Sequence, residues 1–165
     1  MTKKIEQETK EAETQDFSEK SEFEIAYLQT NYVVQNKDRR IIIRIGENNF
    51  ELDELLKRNN TEIWTFVTAY NPYSNSLPED ENEIRHTNLV SQLRERNFQF
   101  LNGYGESTNK DWQPEKSVLI FNIDRETALS LGREFEQNAI VIGQIGSKPE
   151  LVWCFNIEQT NPIKK

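Results

Sequence analysis

The apolar positions of this 165-residue chain change period several times, and each change marks an element. β-Branched and aromatic residues dominate residues 31–36, 39–45, 62–67, 98–101, 117–123, 139–142 and 151–155, the pattern of short strands. Asn36-Lys37-Asp38 suits a hairpin turn between the first two. Helical spacing takes over at Phe23, Ala26, Tyr27 and Thr30, within a leading helix over 16–30. It returns at Leu52, Leu55 and Leu56, in a short helix ended by Asn59-Asn60, and at Ala128, Leu131, Gly132 and Phe135 behind an Asp124 cap.

One more helix starts at Ser76-Leu77-Pro78-Glu79, which fits a capping box with proline in the first turn. Glu79, Asp80, Glu81 and Glu83 complement the positive end of its dipole. Steps of 100° place Asn82, His86, Leu89, Val90 and Leu93 on one face. The second half of that face is plain core, but the first two turns are polar while pointing the same way. The order ββαβαββαββ predicts an α+β (mixed α/β) fold, one central mixed sheet with three to four helices packed on it. Residues 102–116 are expected as a long polar loop.

Composition changes this picture at the termini. Charged residues make up 29% of the chain and the mean hydropathy is −0.80, polar for a packed domain. Residues 1–24, however, hold eight acids against four lysines, half of the formal net charge of −8. A disordered acidic tail over 1–22 is therefore expected, then a single globular domain over 23–158 and a short tail over 159–165. An acidic chain of pI about 4.9 is a poor partner for nucleic acid, which needs clustered Lys and Arg. No apolar run has the length of a membrane span, and no hydrophobic segment follows Lys3-Lys4 as in a secretory signal. The single cysteine, Cys154, fits a reducing cytoplasm.

Candidate chemistry gathers at residues 65–88, where a strand runs into the polar loop Thr68-Ala69-Tyr70-Asn71-Pro72 and then a helix N-terminus. His86 has two readings, a general base or a hydrogen-bonded histidine at the core edge. Arg85 can clamp an anionic ligand, or pair structurally with Glu115 or Asp111. Gly103-Tyr104-Gly105 lacks the third glycine and the following helix of a phosphate loop, so the glycines read as turns. One histidine and one cysteine are too few for a zinc site. A weak Mg²⁺ or Ca²⁺ site at Glu79, Asn82 and Glu83 stays open, with dipole complementation the simpler role, and neither metal nor cofactor is expected. Cys154, between Trp153 and Phe155, reads as a buried hydrophobe. Trp112 and Tyr104 either stack on a planar ligand or pin their own loop.

The set Thr68-Ala69-Tyr70-Asn71-Pro72, Glu81-Asn82-Glu83-x-Arg85, Gly103-x-Gly105, Trp112-x-Pro114-Glu115-x-Ser117 and Phe135-x-Gln137-x-Ala139 resembles the bacterial domain of unknown function 3293, over about residues 25–152. The resemblance carries no activity. It implies that Thr68, Asn71, Asn82, Arg85, Glu115, Ser117 and Gln137 are characteristic polar positions, gathered from distant segments as a pocket would need. The expectation is a cytoplasmic domain whose polar pocket binds a small acidic or amide-bearing ligand. Thr68, Asn71, Asn82, Trp112, Ser117 and Gln137 would line it, with Arg85, His86 and Glu115 available for hydrolytic or transferase chemistry. The alternative is a non-catalytic interaction module, adaptor or inhibitor, with the acidic tail tuning a protein partner. Neither oligomeric state nor the identity of a partner is legible.

Overall fold

A computed structural model describes residues 22–108 and 112–155. The tail expected over 1–22, apart from Glu22, and that over 159–165 lie outside the described residues. A helix α1 over residues 22–28 leads into strands β1 (Thr30–Asn36) and β2 (Arg39–Ile43). Then follow α2 (Phe50–Arg58), β3 (Ile63–Thr68), a 3-10 turn at Pro72–Ser74, α3 (Glu79–Glu95), β4 (Phe100–Ser107) and β5 (Glu115–Phe121). The helix α4 (Arg125–Glu134) and strands β6 (Ala139–Gln144) and β7 (Glu150–Trp153) complete the order. None of the described helices is long and apolar enough to cross a membrane.

The fold is α+β, with one seven-stranded sheet in the order β2-β1-β4-β5-β3-β6-β7. The expected mixed sheet is corrected: every pairing is antiparallel. The reason lies in the crossovers. A helix that returns the chain needs parallel strands at its two ends, but those strands need not be neighbours. Helix α3 joins β3 to β4 with β5 between them, and α4 joins β5 to β6 with β3 between them. Each inserted strand splits a parallel pair into two antiparallel ones.

Both sheet faces are buried, by different helices. Leu89 and Leu93 of α3 and Ala128, Leu129 and Leu131 of α4 pack on Val67, Val118, Ile120, Ile140 and Val152. On the opposite face, Leu52, Leu55 and Leu56 of α2 pack on Ile41, Ile43, Trp64, Phe66, Leu119 and Phe121. Asn49 caps α2 by accepting from the Leu52 amide, and Asp124 caps α4 by accepting from that of Thr127. These backbone bonds hold the Asp124 carboxyl below the usual range.

Two local expectations are corrected. The capping box at Ser76–Glu79 does not form; α3 begins after Pro78, which has no side-chain cap bond. The loop expected over 102–116 is strand as far as Ser107, and Gly103 and Gly105 are not turns but interior positions of β4. Alternating Tyr104 and Glu106 between glycines hid a strand that has little side chain to show. Gly103 is required by close approach: a Cβ there would stand 2.3 Å from the Val33 carbonyl oxygen. A Cβ on Gly105 would meet nothing nearer than Thr30 Cγ2 at 3.7 Å. Gly103→Ala is therefore expected to destabilise the fold by about 1–3 kcal/mol in urea unfolding. Gly105→Ala is expected to leave the midpoint unchanged or raise it, since it gives up backbone freedom in the unfolded chain.

Candidate functional site

The chain leaves β3 through a backbone path that few residues accept. Asn71, Tyr73 and Ser74 all have positive φ, at 49°, 53° and 63°. Asparagine tolerates this conformation better than most, whereas tyrosine and serine do so only under constraint. The constraint is a clasp of amides. The Asn71 backbone N–H donates to Asn82 Oδ1 at 2.9 Å, and Asn82 Nδ2 donates back to Asn71 Oδ1 at 2.9 Å. That same Asn71 oxygen accepts from the Leu77 N–H, and Asn71 Nδ2 donates to Glu115 Oε1 at 2.8 Å. A polar Asn82 thus sits on a core-facing helix surface, 3% exposed, because it ties the loop to α3.

Arg85 and Gln137 close the same loop from its other side. Arg85 Nε donates to the Ala69 carbonyl and its terminal nitrogens reach the Phe135 carbonyl and Glu136. Gln137 Nε2 donates to the carbonyls of Tyr70 and Phe135. The Thr68 hydroxyl donates to the Lys116 carbonyl and accepts from the Tyr70 N–H. Ser117 Oγ donates to the Glu115 carbonyl.

Beside this clasp the sheet carries a hollow of about 330 Å³, covered by α1. Register explains its position. Tyr32 pairs with Gly105, Gly105 with Glu115, Gly103 with Ser117, and Ser117 with Thr68, so these residues share the face that α2 covers farther along. Where the neighbouring strands present side chains, β4 presents Gly105, and the missing volume opens the hollow; at Gly103 the space is already taken by Val33 and Phe66. Phe66 and Val141 line its floor, Phe23, Ala26 and Tyr27 of α1 its roof, and Trp112 stands at its rim, 57% exposed.

Of the expected site residues, Thr68, Asn71, Trp112, Glu115, Ser117 and Gln137 border this one hollow. Asn82, Arg85 and His86 do not. Arg85 does not pair with Glu115, and Asp111 lies outside the described residues; the Arg85 bonds go to carbonyls and Glu136, and an acidic ligand loses the partner expected for it. His86 lies beyond the clasp, edge-on to Tyr70, with Nδ1 buried and unpartnered among the described residues. Burial, then the Lys116 charge, holds its imidazole below the usual range. Tyr70 explains the carboxylates: its hydroxyl lies 2.9 Å from Glu79 and 2.8 Å from Glu83, while Lys116 pairs with Glu83. Among the described residues no three His, Cys, Asp or Glu side chains are grouped to hold a metal ion. Cys154 is fully buried, and burial pushes its thiol up to about 12.

Glu115 borders the hollow from β5. Burial pushes its carboxyl above the usual carboxylate range, and the Asn71 hydrogen bond only partly opposes this. Tyr27 faces it from α1, its hydroxyl pushed up by burial and then by the Glu115 charge. Sequence reasoning missed Tyr27, Tyr32, Phe66 and Gly105 as lining residues. Alternation within β4 and β5 is the signal that would have placed Gly105 beside Glu115.

A raised carboxyl holds its proton more tightly in the folded chain than in the unfolded one. Its contribution to stability is full below the ordinary carboxylate range and is lost as pH rises through the raised value. Glu115→Gln is therefore expected to match the parent at about pH 4 and to exceed its stability at about pH 8, read by urea unfolding at both. Arg85→Met leaves two carbonyls without their charged donor, and a loss of about 1–3 kcal/mol is expected in the same assay.

No curated protein and no solved structure gives a significant match to the chain. A protein-family model does match, over residues 67–140, a narrower span than the motifs suggested. That span runs from the end of β3 to the start of β6 and contains the whole clasp together with Glu115, Ser117 and Gln137. Residues 67–140 of this chain are thus a segment of the family described as "Protein of unknown function (DUF3293)".

Proposed function

We propose that this chain binds a small molecule in the hollow between α1 and the sheet, with Glu115 as the polar contact and the aromatic walls taking an apolar body. The observation that carries this reading is a half-buried carboxyl facing a space that β4 leaves open by having glycine at 105. A void of this kind costs packing energy. Its size falls at the lower end of small-molecule sites, roughly 300–1,000 Å³. Such a cavity with a few convergent polar groups is the ordinary form of a ligand site.

The reading stops at binding. Of the wall hydroxyls, those of Thr30, Thr68 and Ser117 donate to main-chain carbonyls, and His86 stands outside the hollow.

A fragment screen of the full chain by thermal shift tests the proposal, because any ligand preferring the native state raises the melting temperature. Fragments with one aromatic ring and one polar head are expected to stabilise the parent. They are expected to have no effect on Gly105→Leu, whose side chain fills the hollow from the strand. A screen without hits, or hits that act equally on Gly105→Leu, removes the proposed site.

A further inference from the structure

The lining of the hollow is one-sided in charge. Glu22 and Glu115 border it, and no Lys, Arg or His does among the described residues. The nearest lysine in sequence, Lys116, is turned away by strand alternation and pairs with Glu83 on the α3 side of the sheet. Five aromatic residues make up much of the remaining wall: Phe23, Tyr27, Tyr32, Phe66 and Trp112. Tyr32 and Phe66 stand edge to face on the floor, with centroids 5.3 Å apart.

We infer that the ligand is a small organic cation, a protonated primary amine on an aryl or alkyl body, with its ammonium directed at Glu115. The inference rests on the hollow being a ligand site, as proposed above. Three ligand classes can be compared at this carboxyl. An anion would meet like charge and no compensating cation. A neutral alcohol or amide can donate a hydrogen bond, yet leaves the charge of a desolvated carboxylate unpaired. An ammonium ion supplies both a donor and the opposite charge, which is the condition under which a buried carboxylate is stabilised. The rings favour the same class, since their faces attract a cation within about 6 Å and their hydrocarbon surface takes the ligand body. Burial now holds the Glu115 proton more tightly than usual; an ammonium in the hollow would release it.

The test compares three probes of similar size, phenethylammonium, 2-phenylethanol and 3-phenylpropionate, by titration calorimetry with the full chain at neutral pH. The amine is expected to bind roughly tenfold tighter than the alcohol, and the carboxylate more weakly than either. Glu115→Gln is expected to remove the preference, so that amine and alcohol bind the variant with similar affinity. Gly105→Leu is expected to abolish both, with thermal unfolding of each variant confirming that it is folded. Equal affinity of the parent for amine and alcohol, preference for the carboxylate, or a preference for the amine that survives Glu115→Gln overturns the cation assignment but leaves the site standing. Amine binding undiminished in Gly105→Leu places the amine elsewhere and overturns the assignment too. If none of the three probes binds the parent chain, the site itself fails and the assignment with it.

Discussion

The reciprocal amide pair between Asn71 and Asn82 is the constraint on which the rest of this structure depends. It makes one left-handed residue the meeting point of β3, α3 and β5. Positive φ at a non-glycine position costs energy that the surroundings must offset, on the order of 1–3 kcal/mol each. Here the surroundings are two amides with their hydrogen-bonding groups turned on each other and on the loop. Once Asn71 is held, the chain can turn from the end of β3 into α3 without a conventional cap on that helix. The orientation of Glu115 follows, because its carboxyl receives the remaining Asn71 donor.

This arrangement divides polar residues that look alike in sequence. Arg85 and Asn82 are three positions apart on α3, and both spend their donors and acceptors inside the protein. Their chemistry resembles that of a ligand site because a loop and a ligand present the same groups, carbonyls and amides, for recognition. Glu115 differs. Its partner is a neutral amide, and the space in front of it is lined by rings instead of backbone. A half-buried carboxyl whose bonded partner is a neutral amide is a stronger pointer to a ligand than polarity alone.

The sheet supplies that space through topology. Inserting β5 between β3 and β4, and β3 between β5 and β6, brings residues far apart in the chain onto one face in register. Thr68, Ser117, Gly103 and Val34 lie across four adjacent strands of one face. Large residues fill that face where α2 covers it. Gly105 leaves it open where α1 covers it, so one sheet face serves as both core and cavity floor.

The strands, the helices and their order were legible from apolar period, because alternation and the i, i+3, i+4 stripe depend only on neighbours along the chain. The Asp124 cap and the buried stripe of α3 were legible for the same reason, and the motif set pointed to the family. Strand neighbours were not legible: β3-α3-β4 has the same local pattern whether or not another strand lies between. The glycine-bearing end of β4 was read as loop, since a strand whose partners supply the packing carries little pattern of its own. Tertiary structure alone decided that Arg85 faces carbonyls while Glu115 faces a hollow, because a side chain's partner is set by which strands lie side by side, and that is a property of the whole sheet.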